Sequence, residues 1–288
     1  MTLRTVTQEV LAGMAVIVTG SGRGLGRAYA LMAATCGASV VVNDVDFGSA
    51  QDVVDEIVRS GGTAVASGHS VSDWSEAAEL VASCRHAFGR VDGVVNNAGV
   101  VSARSPLEED EESIRSVVEV NLIGTIFVGV HAVKSMGSDG QGGSIVNITS
   151  SAQMGMRTLG TYGATKGAVA SLTYAWALDL APVHVRVNAY SPLARTPMND
   201  LGPQIAVLDD LPTSEDNAAA VCYLLSDLAA GITGQVVKRE RSDLIVMSHP
   251  DLTDNRAVSR SWDLESVVEL FDPILRKGVQ AVGAPNRS

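Results

Sequence analysis

Thr19-Gly-Ser-Gly-Arg-Gly-Leu-Gly26 decides how the rest of this chain is read. It follows a short apolar run, Ala15–Thr19, and opens an amphipathic segment, Gly24–Cys36. A glycine-rich turn that joins a strand to a helix is the setting in which a dinucleotide fingerprint carries meaning. Gly20 suits the tight turn, Gly24 lets the backbone approach a pyrophosphate, and Gly26 lets helix pack closely on strand. The helix N-terminus presents N–H groups without intrahelical partners, and a partial positive charge, to the phosphates. Ser21, Arg23 and Leu25 lie within the turn and complete this set of cofactor-contacting candidates. Asp44 ends the next apolar run, about 20 residues on, where a carboxylate binds ribose hydroxyls and repels a 2′-phosphate. No Arg or Lys lies near Asp44 on its own loop, so NAD is expected over NADP, with Arg23 the group that would reverse the preference.

The same alternation continues outward. Ser39–Asn43, Thr63–Ala66, Val91–Asn96, Gly143–Thr149, Val183–Ala189 and Gly234–Val237 read as strands. Gly48–Ser60, Trp74–Phe88, Glu111–Met136, Gly160–Leu180 and Ser214–Leu225 read as helices. Continuous apolar strands imply burial on both faces. Repeated β-α units imply right-handed crossovers and one α/β, Rossmann-like, doubly wound domain with a seven-stranded parallel sheet and helices on both faces. That domain is expected over residues 1–237. Residues 238–288 form a C-terminal extension, packed on the same domain or a neighbouring subunit, with a helix at Asp263–Lys277 capped by Asp263.

A second cluster bears on chemistry. Tyr162-Gly-Ala-Thr-Lys166 sets a phenol and an ammonium one helical turn apart on one face. A phenol of pKa about 10 is a poor base at neutral pH, and a fixed positive charge favours its ionised form.

Composition narrows the function classes. The formal net charge of −11 disfavours nucleic-acid backbones and anionic membrane surfaces. Three widely spaced cysteines, Cys36, Cys84 and Cys222, read as buried free thiols of a cytoplasmic protein. The five histidines show no ligand spacing, so no metal is expected. The N-terminus does not read as a signal peptide, and no apolar stretch is expected to reach membrane-span length.

Taken together, the chain resembles the short-chain dehydrogenase/reductase family from about Leu11 to Val237. The resemblance rests on residues 19–26, Asn96-Asn97-Ala98-Gly99, Asn121 in Val-Asn-Leu-Ile-Gly-Thr, Asn147-Ile-Thr-Ser-Ser151, Tyr162–Lys166 and the Asn188–Met198 stretch. It implies that Tyr162 exchanges a proton with the substrate oxygen, Lys166 lowers the Tyr162 pKa and binds the nicotinamide ribose, and Ser150 hydrogen-bonds the substrate oxygen. Asn121 holds a water in a proton relay. Asn97, Ala98, Gly99 and Val71 line the adenosine side, and Pro192 and Thr196 lie against the nicotinamide. Four features depart from the family pattern. Ser150 and Tyr162 are one residue closer than usual, with Ser151 a rival. Ser70 replaces the adenine-side Asp, Leu193 replaces the Gly of a Pro-Gly pair, and the tail is long.

The implied reaction is hydride transfer between nicotinamide and a small-molecule secondary alcohol or ketone. The alternatives are an NADP-dependent carbonyl reductase and a cofactor-binding regulator without turnover. The Met198–Thr213 stretch is where the family closes over substrate, and it has no basic cluster for a bound phosphate. Val40–Asp44 and Ser191–Met198 look similar to the hydroxyacyl-CoA dehydrogenase branch. Family members pair the helices at Glu111–Met136 and Gly160–Leu180, so a homodimer or homotetramer is expected.

Overall fold

The structure, a computed structural model, describes residues 9–140, 142–194, 211–259, 263–271 and 273–279. The chain divides into two compact units, Met1–Met247 and Ser248–Ser288. In the first, β1 (Ala15–Thr19), α1 (Gly24–Thr35), β2 (Ser39–Asn43), α2 (Phe47–Arg59), β3 (Thr63–Ser67), α3 (Trp74–Phe88) and β4 (Gly93–Asn96) follow one another. They are followed by α4 (Glu111–Val118), α5 (Gly124–Asp139), β5 (Gly143–Ile148), α6 (Gly160–Asp179), β6 (Val185–Ser191), α7 (Glu215–Leu225), β7 (Val236–Glu240) and β8 (Asp243–Met247).

The strands form one sheet in the order β3-β2-β1-β4-β5-β6-β7-β8. Two residue sets on alternate strand positions explain why these strands are apolar throughout. Val16, Val18, Val40, Val42 and Val146 pack with Ala28, Tyr29, Val53, Ile57, Val221 and Leu225 of α1, α2 and α7. Ile17, Val41, Val94, Ile145 and Val187 pack with Leu80, Val81, Val128, Met136 and Ala177 of α3, α5 and α6. Strand order reverses between β1 and β4, so a crevice opens at the carboxyl ends of the strands, where ligands bind in such sheets.

The expectation of seven strands is corrected to eight. β7 runs on to Glu240, and β8 pairs with it antiparallel, Val236 opposite Met247 and Glu240 opposite Asp243. The connection is Arg241-Ser242, with Arg241 at φ 48°. Two-residue hairpin loops ordinarily carry Asn-Gly or Gly, and their absence here hides the hairpin inside a charged run.

The single helix expected over Glu111–Met136 is also corrected. Between α4 and α5 the backbone widens into a π turn, Glu119–Ile123. The run Glu111–Gly137 is long and apolar enough, by length and composition, to cross a membrane, contrary to expectation. Its Val128, Ala132 and Met136 pack into the core on the sheet.

In the second unit, Asp263 Oδ1 accepts the Ser266 N–H at 2.8 Å, the expected cap of α8 (Leu264–Phe271). α8 stops short of Lys277 because Pro273 cannot continue the helical hydrogen bonding, and a 3-10 turn follows at Leu275–Gly278.

Candidate active site

The glycine-rich turn is fixed by close backbone approach. A Cβ on Gly26 would lie 2.1 Å from the Gly20 carbonyl oxygen and 2.5 Å from Asn97 Nδ2, so only glycine lets α1 start there. Gly24 has φ +56° and open space where a Cβ would point. α1 has no side-chain cap and no acid in its first turn, so its leading N–H groups have no side-chain acceptor. An anionic pyrophosphate fits this combination.

Two neighbouring loops complete the cradle. Asn97 Nδ2 donates to the carbonyls of Thr19 and Gly20, each at 2.9 Å, and Thr19 Oγ1 accepts the N–H groups of Asn97 and Ala98 at 3.0 Å. Asp44 Oδ2 accepts the Gly22 N–H at 3.1 Å, which holds its carboxylate over the turn. Ser21 is fully buried; its hydroxyl donates to Val18 O at 2.7 Å and accepts the Asn43 N–H at 3.0 Å, so its side chain ties β1 to β2. Arg23 and half-buried Leu25 flank the turn, with Arg23 exposed. Val71 is buried, and a Cβ on Gly124 would lie 2.7 Å from its Cγ2. Ser70 Oγ pairs with Ser72 Oγ at 3.0 Å, and its N–H donates to Glu76 Oε2 at 2.6 Å.

The acid/base candidates meet further along the same edge. Gly163, inside the Tyr162–Lys166 stretch, would place a Cβ 2.5 Å from Ala152 O. Because it has none, the first turn of α6 packs on the 3-10 turn Ser151–Met154. Ser150 caps that turn, accepting the Ala152 N–H at 3.2 Å, and hydrogen-bonds the Tyr162 side chain. Of the two rival serines, Ser150 is therefore the one seated against the phenol. Lys166 is 4% exposed; its Nζ donates to Ile148 O at 2.8 Å and lies 5.7 Å from the centre of the Tyr162 ring.

Asn121 sits in the π turn, fully buried, with Oδ1 accepting the Val100 N–H at 2.8 Å and Nδ2 donating to Val100 O at 2.9 Å. Its Nδ2 also reaches Thr165 Oγ1 at 3.3 Å, which ties the π turn to α6. A Cβ on Gly99 would lie 3.3 Å from Asn121 Oδ1 and 3.6 Å from Lys166 Nζ, so Gly99, Asn121 and Lys166 share one small space.

The electrostatics differ from the sequence expectation. Burial pushes the Tyr162 phenol above its ordinary value, and the Ser150 hydrogen bond only partly opposes this. Burial lowers the Lys166 ammonium to about 8. In the chain by itself, desolvation is thus the largest influence on both groups. Both groups are held against their charged forms, and anything that solvates or pairs the charges changes the balance.

Half-buried Pro192 leads off the loop after β6, and Thr196 lies outside the described residues, as does most of the Met198–Thr213 stretch. One residue of this loop's anchorage escaped the sequence reading. Fully buried Asn217 of α7 donates to Leu193 O at 3.0 Å and Thr213 O at 2.8 Å, and accepts the Tyr190 hydroxyl at 2.9 Å. The available signal was local: Thr213 and Asp216 form a reciprocal capping box that fixes where α7 starts.

Residues 14–201 match the family described as short chain dehydrogenase. The L-rhamnose 1-dehydrogenase (NAD(P)(+)) of Azotobacter vinelandii is 34% identical over 241 residues, 78% of this chain and 94% of that protein. A crystal structure of a short chain dehydrogenase from Mycobacterium avium has a TM-score of 0.85 at 33% identity and covers 96% of this chain and 99% of that one. A 7α-hydroxysteroid dehydrogenase solved with NADH and 7-oxo glycochenodeoxycholic acid has a TM-score of 0.73 at 30% identity, covering 81% of this chain and 95% of its own.

Proposed function

This chain belongs to the short-chain dehydrogenase/reductase family of oxidoreductases, and on that footing we propose that it is an NAD-dependent enzyme that interconverts a secondary alcohol and a ketone. The observation that carries the reading is the grouping of Ser150, Tyr162 and buried Lys166 at the edge of the sheet that also holds the open N-terminus of α1. NAD, when bound, supplies the hydride acceptor. The chain's own residues do the rest.

Ser150 and Tyr162 hold the substrate oxygen between two hydroxyls, and Tyr162 takes the alcohol proton as the carbonyl forms. The Lys166 ammonium stabilises the Tyr162 phenolate that accepts this proton, from within the same dry pocket, where a charge acts more strongly than in water. Asn121 spends its side-chain amide on Val100 and Thr165, and its main-chain carbonyl accepts the Thr125 hydroxyl at 2.8 Å and has a second lone pair for a water that connects Lys166 to solvent. Asp44 selects NAD by accepting ribose hydroxyls with a carboxylate already oriented by Gly22. Pro192 and Thr196 bound the nicotinamide side. The enzyme acts in the cytoplasm as a homodimer or homotetramer, with the partly buried Glu111–Gly137 run as one contact face.

Parallel titrations of NAD and NADP against wild type and Asp44→Ala test this reading. It expects NAD to bind about tenfold more tightly than NADP, a difference of about 1.4 kcal/mol, lost in the variant. Tighter NADP binding by wild type would overturn the NAD assignment in favour of a carbonyl reductase. Absence of binding by either would favour a regulator without turnover.

A further inference from the structure

The short interval between Ser150 and Tyr162 contains a strained turn. The Leu159 N–H donates to Met156 O at 3.3 Å, closing a tight turn with Arg157 and Thr158 at its centre. Thr158 has φ 61°, in the left-handed region. A turn with positive φ at its third residue ordinarily takes Gly or Asn there, and a β-branched residue is an outlier. Among the described residues, His184 and Arg241 also have positive φ, but neither is β-branched. Glycine would adopt this conformation without strain, so the turn holds Thr158 against its own preference. Strain of this kind collects at ligand sites, where it serves the placement of a side chain.

The surroundings of the turn put it at the mouth of the candidate site. It follows the 3-10 turn capped by Ser150 and leads, through Leu159, into α6, whose third residue is Tyr162. Buried Leu159 forms an isolated bridge with Arg104, on the loop that continues from Val100 beside Asn121. Thr158 itself is exposed, and its hydroxyl donates to Arg157 O at 2.6 Å. That bond uses the one proton of the hydroxyl and leaves its lone pairs. Towards a ligand Thr158 is therefore an acceptor, which a second hydroxyl satisfies and a carboxylate does not.

We infer that Thr158 is a specificity-determining residue, and that the substrate is a polyhydroxylated alcohol. Its reacting hydroxyl lies between Ser150 and Tyr162, and a second hydroxyl donates to Thr158 Oγ1. The inference rests on the proposed dehydrogenase activity and adds a substrate class to it, diols and sugars over simple alcohols and hydroxy acids. Thr158 touches no reacting atom, so it acts on binding and leaves hydride and proton transfer to the groups already described.

The test is steady-state kinetics with NAD for wild type, Thr158→Gly and Thr158→Ser, with urea unfolding of each protein alongside. The probes are cyclohexanol, the cyclohexanediols, aldohexoses and hydroxycyclohexanecarboxylates. Wild type should turn over at least one diol or sugar with kcat/KM about fivefold or more above that for cyclohexanol, the scale of one hydrogen bond. Thr158→Gly should raise the KM for that substrate about fivefold, through binding rather than kcat, with a smaller effect on cyclohexanol. Thr158→Ser keeps the hydroxyl and should bring that KM back to within about twofold of wild type. Thr158→Gly should also raise the urea midpoint, because the strain removed exceeds the freedom that glycine adds to the unfolded chain. A midpoint that falls instead would remove the strain and overturn the inference. A KM that Thr158→Gly leaves unmoved, or turnover confined to cyclohexanol or the hydroxy acids, would overturn it while the dehydrogenase reading stands. Wild type that turns over none of the probes would overturn both.

Discussion

Replacing Lys166 with Met should change how the protein's stability depends on pH, by an amount that its burial sets. The ammonium titrates at about 8 in the folded chain, against an ordinary value of 10.5. Between those values the unfolded chain holds a proton that the folded chain has released, so stability rises with pH across that window. Below pH 8 the folded chain carries the full penalty of a buried charge, and above about 10.5 it carries none. Integrated from pH 7 to pH 10, the shift amounts to about 2.5 kcal/mol for this one residue. Met has similar length and no charge, so the variant lacks this contribution entirely.

The assay is urea unfolding of wild type and Lys166→Met at pH 7, 8, 9 and 10, with protein concentration held fixed so that any linkage to association is the same throughout the series. The stability of wild type relative to the variant should climb by about 2 to 3 kcal/mol over the series. The Met variant leaves the Ile148 carbonyl without its donor at every pH, a constant offset of about 1 to 3 kcal/mol that does not affect the slope. Parallel curves for the two proteins would refute the reasoning, because they would mean that Lys166 titrates alike in the folded and unfolded chain.

Three further outcomes follow from the site's geometry. Gly26→Ala places a methyl group against backbone at Gly20 O, which cannot move aside, so soluble yield should fall or stability drop by about 3 kcal/mol or more by thermal unfolding. Gly24→Ala meets no atom and adds only left-handed backbone strain of about 1 kcal/mol, so it should fold and instead weaken dinucleotide binding by titration. Asn217→Ala strips partners from the Tyr190 hydroxyl and two loop carbonyls, and should cost about 2 to 4 kcal/mol in chemical denaturation while raising the KM for substrate more than it lowers kcat.

Much of the fold was legible because each strand must be apolar on both faces. β1 and β2 match the sequence boundaries to the residue, since Gly and Asp bound them on the chain itself. The eighth strand was hidden by Arg239-Glu-Arg-Ser242, whose charges read as an ending although Lys238 and Glu240 pair with each other across the end of β7. The π turn was hidden for a different reason. Periodicity cannot register one extra residue per turn, yet that residue places Asn121 against Val100 and Thr165. Within the candidate site, the motifs made it readable which side chains would be candidates, but not their electrostatic state. The spacing of Tyr162 and Lys166 implied mutual stabilisation, whereas the depth of burial that moves both groups toward their neutral forms depends on Ile148, Ala152 and Gly99 from distant parts of the chain.

The most direct measurement of the central claim is the appearance of reduced nicotinamide when wild type, Ser150→Ala and Tyr162→Phe are incubated with NAD and a panel of secondary alcohols. The account predicts turnover by wild type with at least one alcohol. Tyr162→Phe should lose about a thousandfold or more in kcat, Ser150→Ala should lose less, and both should bind NAD as wild type does. Turnover that survives Tyr162→Phe, or NAD binding by wild type with no reduction across the panel, would contradict it.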